Sequence, residues 1–264
     1  MPSPVVDIHT HAFADALASR AVAQLAEQSG LKAWHDGTVA GLDGERRRAA
    51  VDLCVVLPVA TKPTQVRTIN DWAAETQTRH VRCFGAMHPA FEDPSAEIGR
   101  IRELGLCGIK LHTESQFFHP DEQRMAPIYE ACIENGLAIL FHAGEDEFFE
   151  TLYGDCHAFV RMLDRWPRLT AILAHMGGYR QWKTVSCELL GRDCYLDTSY
   201  ALGHMPDDEF LDMVERHGAE RVLFGSDSPW DDMKAQVERC RALPLSPGDR
   251  DAILGGNAAG LLGL

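Results

Sequence analysis

Residues 5–11 read VVDIHTH, an apolar run that ends in two histidines separated by one residue. Side chains alternate between faces along a β-strand, so His9 and His11 are expected to point the same way and Thr10 the opposite way. Two imidazoles on one face at the end of a buried strand can supply two ligands of a metal site. A His-x-His pair alone is weak evidence, because structural histidines produce the same spacing. The rest of the chain must therefore supply the other ligands.

Further short apolar runs follow this one, separated by segments with helical periodicity. The predicted strands lie near 5–9, 51–59, 82–87, 106–112, 137–142, 169–175, 194–198 and 221–226. The predicted helices lie at 65–79, 95–104, 122–135, 156–165, 180–190, 207–217 and 232–241. Most strands are apolar on both faces, as parallel strands covered by helices must be. Eight βα units, spaced by roughly 30 residues, predict one α/β domain over residues 1–264 with a (β/α)8 TIM-barrel fold. A doubly wound open sheet is the alternative, although the chain has no glycine-rich phosphate turn.

The first βα unit is longer than the others, which predicts an insertion. Residues 38–50 are expected to form the outer helix, because the chain must return to the amino-terminal end of the barrel before strand two. Residues 12–36 then become an insertion after strand one, on the active-site side. Trp34 in this insertion covers the pocket in one interpretation and lies in an ordinary exposed loop in the other. At the carboxyl end, residues 246–262 are predicted to form a closing helix capped by Ser246.

Composition restricts the class of protein and its partners. A hydrophobic content of 45% and a charged content of 24% are typical of a soluble globular chain. The formal charge of −14 argues against nucleic acid and anionic membranes as partners. The eight cysteines are scattered without a C-x-x-C pair, and no apolar run reaches membrane-spanning length. We therefore expect a reduced, cytoplasmic protein.

Residues suited to metal binding or acid–base chemistry recur at the carboxyl ends of the predicted strands, where the active sites of such barrels lie. They are His9 and His11 on strand one, Lys110 and His112 on strand four, His142 and Glu145 after strand five, His175 after strand six, and Asp227 after strand eight. Burying several histidines and a carboxylate together is costly unless a metal or mutual hydrogen bonds compensate. The pattern therefore predicts one polar site assembled from several strands.

These motifs resemble the amidohydrolase superfamily, specifically the amidohydrolase-related branch of metal-dependent TIM-barrel hydrolases and decarboxylases. The resemblance covers nearly the whole chain and rests on DIHTH, GIKLH, FHAGE, AHMGG, LDTS, LFGSDSPW and ILGGNAAGLLG. It implies one divalent metal ion, Zn²⁺ in the first place and Mn²⁺ or Fe²⁺ otherwise, held by His9, His11, His142 and Asp227. It also implies that His175 and Asp227 are catalytic and manage protons at a metal-activated water.

Five residues are candidates for substrate binding: Lys110, His112, Glu145, Trp34 and Trp230. Binuclear members of the wider superfamily have a carboxylated lysine at the end of strand four. A bridging carbamate on Lys110 is therefore an alternative to a packed or substrate-facing ammonium. His112 either touches substrate or is a hydrogen-bonded structural histidine. Glu145 faces either the pocket or solvent, and Trp230 either lines the site or packs in the fold.

The resemblance implies two activities. The first is hydrolysis, in which metal-bound hydroxide attacks an amide, lactone or ester of a small molecule. The alternative is non-oxidative decarboxylation of a small aromatic or unsaturated carboxylic acid. The complete His9-x-His11 pair favours hydrolysis, because some decarboxylases of the branch have a different residue at the first position. A barrel that binds metal or ligand without catalysis is the third hypothesis. The branch is often dimeric, which makes a homodimer an expectation.

Overall fold

Parallel strands and helices alternate along residues 4–263, which are the residues that the computed structural model describes. The strands are β1 (Val6–Thr10), β2 (Leu53–Val56), β3 (Val81–Cys83), β4 (Gly85–Ala86), β5 (Gly108–Leu111), β6 (Ala138–Phe141), β7 (Ala171–Leu173), β8 (Tyr195–Asp197) and β9 (Val222–Leu223). The helices are α1 (Asp15–Ser29), α2 (Val39–Ala49), α3 (Val66–Thr76), α4 (Pro94–Glu103), α5 (Thr113–Gln116), α6 (Ala126–Asn135), α7 (Cys156–Arg165), α8 (Trp182–Glu188), α9 (Asp207–His217), α10 (Met233–Ala242), α11 (Pro247–Asp251) and α12 (Asn257–Leu262).

Each predicted strand overlaps an observed one, and only the third is divided. The predicted strand 82–87 is divided into β3 and β4. Each predicted helix also overlaps an observed helix, and α7 and α9 match their predictions residue for residue. Within residues 4–263 the chain divides into two compact units: unit 1 comprises residues 4–56, 78–82 and 197–263, and unit 2 comprises residues 57–77 and 83–196.

In unit 1, the first and last strands are neighbours. β1 pairs in parallel with β2, with Val6 opposite Leu53. On its other side, the backbone N–H of Ile8 donates to the carbonyl oxygen of Phe224 at 2.9 Å. The residues of β1 are buried throughout, as the apolar sequence predicts. This pairing places the carboxyl end of β1 beside the segment that follows β9.

The predicted insertion after strand one is confirmed. It contains α1, which buries only Ala18 and Val22 and leaves most of its surface exposed. The outer helix α2 begins after Thr38, whose hydroxyl accepts the backbone N–H of Gly41 at 2.9 Å, and packs against α10. Strand one therefore leads into an exposed helix before the barrel helix begins.

The closing helix begins as predicted but is not continuous. The Ser246 hydroxyl accepts the backbone N–H of Asp249, which caps α11. A wider turn, Ala252–Gly256, separates α11 from α12. A Cβ atom on Gly255 would collide with the carbonyl oxygen of Pro4 and the backbone nitrogen of Val6. The helix is thus interrupted where its backbone lies against the start of β1.

In unit 2, β4, β5, β6, β7 and β8 pair in parallel in sequence order. Helix α6 ends at Gly136, as the sequence predicts, in the left-handed conformation that glycine adopts without strain. Lys110 lies in β5 with its side chain 1% exposed. None of the eight cysteines, all within residues 4–263, forms a disulfide. Within residues 4–263, every helix is too short or too polar to span a bilayer.

Candidate metal centre and histidine cluster

The carboxyl end of β1 and the segment after β9 bring His9, His11 and Asp227 together in unit 1. Oδ1 of Asp227 lies 3.3 Å from Nε2 of His9 and 3.1 Å from Nε2 of His11. Metal bonds of 2.0–2.2 Å place tetrahedral ligand atoms about 3.4 Å apart. His9 and Asp227 are buried, and His11 is nearly so. Two imidazole nitrogens and one carboxylate oxygen at this spacing fit one divalent metal ion. We call His9, His11 and Asp227 the metal triad.

Backbone hydrogen bonds between β1 and the segment after β9 fix the triad. The N–H of His11 donates to the carbonyl of Ser228 at 2.7 Å, and the N–H of Asp227 donates to the carbonyl of His9 at 2.9 Å. Asp227 has a φ of 63°, a left-handed conformation that residues other than glycine rarely adopt. Such strain concentrates at functional sites. Here the strained residue is the one whose carboxylate points towards both imidazoles.

The orientation of His9 is set by residues at the end of β8. Its Nδ1 atom lies 2.8 Å from Oδ2 of Asp197 and 2.9 Å from the hydroxyl of Ser199. Asp197 is fully buried and also accepts the backbone N–H of Ser199 at 3.0 Å. Donation from Nδ1–H to this carboxylate selects the tautomer whose lone pair is on Nε2. His9 therefore presents Nε2 to the metal triad as a ligand atom.

Asp7 is a second buried carboxylate of β1. Its Oδ1 accepts the backbone N–H groups of His9 and Ser226 at 3.1 and 3.0 Å. Burial raises the pKa of Asp7 to about 7. The side chain thereby ties β1 to the segment after β9.

In unit 2, His112, His142 and Asp146 form a second group that we call the histidine cluster. The His112 and His142 rings stack in parallel with centroids 4.4 Å apart. Oδ2 of Asp146 lies 3.3 Å from Nε2 of His112 and 3.7 Å from Nε2 of His142. These ligand atoms also lie within 4.8 Å of one another. The cluster combines two stacked imidazoles with one largely buried carboxylate.

A further buried carboxylate, Glu114, borders the histidine cluster. Its Oε1 accepts the backbone N–H groups of Tyr153 and Gly154 at 3.0 and 2.8 Å. Its Oε2 lies 3.6 Å from Nε2 of His142. Burial raises the pKa of Glu114. Glu114 therefore holds the loop after β6 against the turn after β5.

Burial and neighbouring charges change the protonation of the cluster. Burial lowers the pKa of His142 well below its usual value, and electrostatic interactions with His112, His175 and Lys110 lower it further. Burial alone would raise the pKa of Asp146, but the hydrogen bond from His112 and the charges of both histidines lower it well below its usual range. The cluster therefore favours a neutral His142 and an ionised Asp146.

His175 extends the cluster from the segment after β7. It is 4% exposed, and its Nε2 lies 3.2 Å from Nδ1 of His142. Its φ of 58° is again left-handed. Its carbonyl oxygen accepts the indole N–H of Trp182 at 2.9 Å, which fixes the turn. His175 is thus a buried imidazole in direct contact with a second one.

A family model described as amidohydrolase matches residues 6–264. The chain belongs to the amidohydrolase family. A search of curated proteins finds no relative. Among solved structures, the chain is similar to an uncharacterized TIM-barrel protein from Bordetella bronchiseptica, with a TM-score of 0.81, 20% identity and 98% of both chains covered. It is also similar to a dihydroxybenzoic acid decarboxylase from a Polaromonas species, which was crystallised with manganese and the inhibitor 2-nitroresorcinol. The TM-score is 0.78 at 17% identity, with 99% of this chain and 97% of that chain covered. A 5-carboxyvanillate decarboxylase from Sphingomonas paucimobilis gives a TM-score of 0.74 at 19% identity, with 99% of both chains covered.

These comparisons confirm the predicted fold class. The parallel strands, the intervening helices and the TIM-barrel neighbours identify the amidohydrolase as an α/β protein of the (β/α)8 barrel fold. The alternative of a doubly wound open sheet was wrong. Its first and last strands would not be neighbours, whereas the N–H of Ile8 donates to Phe224 beyond β9.

The remaining predicted residues of this amidohydrolase lie in different surroundings. The Glu145 side chain is 49% exposed, with an oxygen 3.5 Å from Nη1 of Arg180. Trp34 is 36% exposed, and Nζ of Lys32 lies 3.7 Å from its ring centroid. Trp230 is partly exposed and donates its backbone N–H to the carbonyl of Asp227 at 2.8 Å. Their substrate-binding roles stay predictions.

Sequence reasoning missed Asp146, the carboxylate of the histidine cluster. It named only the neighbouring Glu145 after FHAG, facing either the pocket or solvent. Gly144 has a φ of 88°, and the N–H of Glu145 donates to the carbonyl of Tyr179 at 3.1 Å. This turn leaves Glu145 outside and directs Asp146 towards the imidazoles. The HAGED motif contains both acids, and only the turn geometry distinguishes them.

Proposed function

We propose that this amidohydrolase, acting as a single domain, is a metal-dependent, non-oxidative decarboxylase of a small aromatic carboxylic acid. The observation that carries the proposal is the metal triad, with His9 oriented by Asp197 for metal binding. The reaction class is supported by neighbours of the same fold that are named as decarboxylases of dihydroxybenzoate and 5-carboxyvanillate. Decarboxylation was the alternative activity at the sequence level, and it is now the preferred one.

We assign one divalent metal ion to the metal triad. Mn²⁺ and Zn²⁺ both suit two imidazoles and a carboxylate, and manganese is the ion named for two of the decarboxylase neighbours. When bound, the ion supplies a Lewis acid for oxygen atoms of the substrate. The fourth ligand predicted from the sequence, His142, stays part of this proposal.

The protein's own residues hold the ion and deliver a proton. In the proposed reaction the bond between the ring carbon and the carboxylate breaks, CO₂ leaves, and the electron pair remains on the ring carbon. That carbon then takes a proton from an acid group of the protein. We assign this step to His175 or Asp227, the two catalytic residues predicted from the sequence. His175 is buried, which keeps bulk water away from a proton on its imidazole.

Hydrolysis is the second candidate, and one observation favours it. Both histidines of His9-x-His11 are present and converge on Asp227, which is the arrangement expected for a metal that activates water. In that case Asp227 accepts the proton of the water, and an amide, lactone or ester is cleaved. The comparisons support decarboxylation better, because the named reactions of the neighbours are decarboxylations.

The test incubates manganese-loaded and zinc-loaded protein with 2,6-dihydroxybenzoate and 5-carboxyvanillate in D₂O. We expect CO₂ release and one deuterium at the ring carbon that carried the carboxylate, observed by NMR. The variant His11→Ala should lose the activity, while His157→Ala, which changes an exposed histidine, should retain it. Cleavage of a parallel panel of aryl esters and lactones without any decarboxylation would instead establish the hydrolase. Inactivity of the metal-loaded protein on both panels would favour the non-catalytic hypothesis.

A further inference from the structure

An aromatic side chain occupies a strained and exposed position in unit 2. Phe117 ends the short helix α5 with a φ of 54°, in the left-handed region that favours glycine. Its side chain is 58% exposed, more than any other large apolar side chain among residues 4–263. Folding stability would favour a small or polar residue at such a place. An exposed ring on a strained backbone therefore suggests a functional role.

Phe117 is not isolated, because two other rings pack against it. The Phe149 ring lies perpendicular to it with centroids 6.3 Å apart, and the Tyr153 ring lies edge-on at 6.0 Å. Phe149 and Tyr153 are themselves partly exposed. We call Phe117, Phe149 and Tyr153 the aromatic cluster. It joins two segments, 113–120 and 145–155.

The aromatic cluster borders a hydrogen-bonding group. The centroid of Phe149 lies 6.3 Å from that of His112, with the rings tilted by 59°. His112 in turn contacts Asp146, whose Oδ2 lies 3.3 Å from its Nε2. The His112 side chain is 17% exposed and the Asp146 side chain 6% exposed, so the imidazole is the accessible member of the pair. Exposed ring faces thus adjoin an imidazole held in place by a buried carboxylate.

We propose that the aromatic cluster binds the ring of the substrate, an aromatic acid that carries a ring hydroxyl, and that His112 hydrogen-bonds to an oxygen on that ring. The choice of an aromatic acid rests on the proposed function. A planar ring matches this surface because aromatic faces and edges attract one another in stacked or perpendicular arrangements. A polar substituent on the same ring would meet His112, whose orientation Asp146 fixes. Asp146 is a positioning residue, since it acts through His112.

The test measures binding separately from turnover, with probes that have no carboxylate to lose. The metal-loaded protein is titrated calorimetrically with 2-nitrophenol and with its saturated counterpart 2-nitrocyclohexanol, and the ratio of the two Kd values measures preference for a planar ring. Phe117→Leu and Phe149→Leu preserve apolar area but remove the ring. Each should reduce the preference by about 3- to 10-fold, the size of one aromatic contact. Phe149→Tyr should restore it.

A matched control is available in the same loop. Leu152 is 36% exposed, so Leu152→Ala removes exposed apolar area without removing a ring. This variant should change the preference by less than about twofold. Asp146→Asn should weaken the binding of 2-nitrophenol more than that of toluene, which has the ring but no oxygen, whereas a purely structural role would weaken both equally.

The outcomes separate this inference from the proposed function. Ring preference that is lost in the leucine variants supports the inference even if the wild type fails to decarboxylate any substrate. Decarboxylation with the same ring preference in wild type and leucine variants overturns the inference alone. Sedimentation adds a third outcome: a dimer that dissociates in Phe117→Leu, with unchanged ring preference, would make the cluster a contact between two copies and overturn the inference.

Discussion

Nδ1 of His9 lies 2.8 Å from Oδ2 of Asp197, across 188 positions of sequence. Because this contact selects the tautomer of a histidine that we propose as a metal ligand, we expect Asp197→Asn to reduce metal affinity by about 10- to 100-fold. Competition with a chromophoric chelator measures the change. The exposed Asp193→Asn, four residues earlier, is the matched control and should bind metal normally. Equal affinities in the two variants would contradict the role assigned to Asp197.

The metal triad makes a prediction about stoichiometry. Protein purified without chelators should contain about one divalent ion per chain, and His11→Ala or Asp227→Ala should lose most of it, as measured by plasma mass spectrometry. Removing the ion should also destabilise the fold, by about 2.7 kcal/mol when the free metal concentration is 100-fold above Kd. A content near two ions would instead favour the bridging carbamate on Lys110.

His175 can be tested apart from metal binding. If it delivers the proton, His175→Asn should retain the ion and lose turnover by about 10²- to 10⁴-fold. The exposed His157→Asn serves as the control. Loss of metal in His175→Asn would show that the residue acts as a ligand, and unchanged turnover would leave Asp227 as the proton donor.

His35 should make stability depend on pH. Burial lowers the pKa of His35 from 6.5 to about 4. Its Nδ1 accepts the backbone N–H of Gly37 at 3.0 Å, and its buried Nε2 has no hydrogen-bond partner among residues 4–263. Above pH 6.5 the imidazole is neutral in both states. Between pH 6.5 and 4 only the unfolded chain binds the proton, so stability falls as pH falls, by about 2 kcal/mol after allowance for partial exposure.

The variant His35→Asn isolates this contribution. The Asn amide oxygen can accept the same N–H from Gly37 but does not titrate. Urea unfolding at pH 7.5, 5.5 and 4.5 should therefore show a smaller loss of stability in the variant than in the wild type. Parallel pH profiles for the two proteins would rule out His35 as the titrating group.

Two glycine-to-alanine substitutions should change stability in opposite directions. A Cβ on Gly144 would collide with the backbone of Tyr179, and φ is 88° there, so Gly144→Ala should cost about 3 kcal/mol or more. Gly99 lies inside α4 with open space around its added Cβ, so Gly99→Ala should stabilise by about 0.5–1 kcal/mol. Chemical denaturation measures both. A Gly144→Ala variant as stable as wild type would contradict the close approach at Tyr179.

The elements of the barrel could be predicted from sequence because their signals are local. Runs of apolar residues mark the buried strands, and glycine or a hydroxyl residue marks a helix end, as at Gly136 and Ser246. The metal triad was also within reach, since His9 and His11 share a strand and Asp227 ends another. These contacts follow from the fold class once the strands are placed in order.

Other features depend on backbone geometry that sequence periodicity does not contain. Asp146 was missed because a left-handed turn at Gly144 decides which of two adjacent acids points inward. The predicted closing helix is interrupted because Gly255 packs against the backbone of Pro4, a contact between the two ends of the chain. The exposed ring of Phe117 could not be predicted either. Hydrophobic periodicity does not show that the backbone at the end of α5 becomes left-handed at an aromatic residue.

The order in which the metal triad is synthesised has a consequence for maturation. His11 and the Asp227 carboxylate that it meets are 216 positions apart, and Asp197, which orients His9, is nearly as distant from it. While β1 is being translated, neither Asp197 nor Asp227 has been synthesised. His9 and His11 therefore lack the carboxylates that they contact in the folded protein. Contacts of such large sequence separation form late in folding. Metal loading should therefore be a post-translational event, and a nascent chain halted before residue 227 should fail to retain the ion that the finished protein holds.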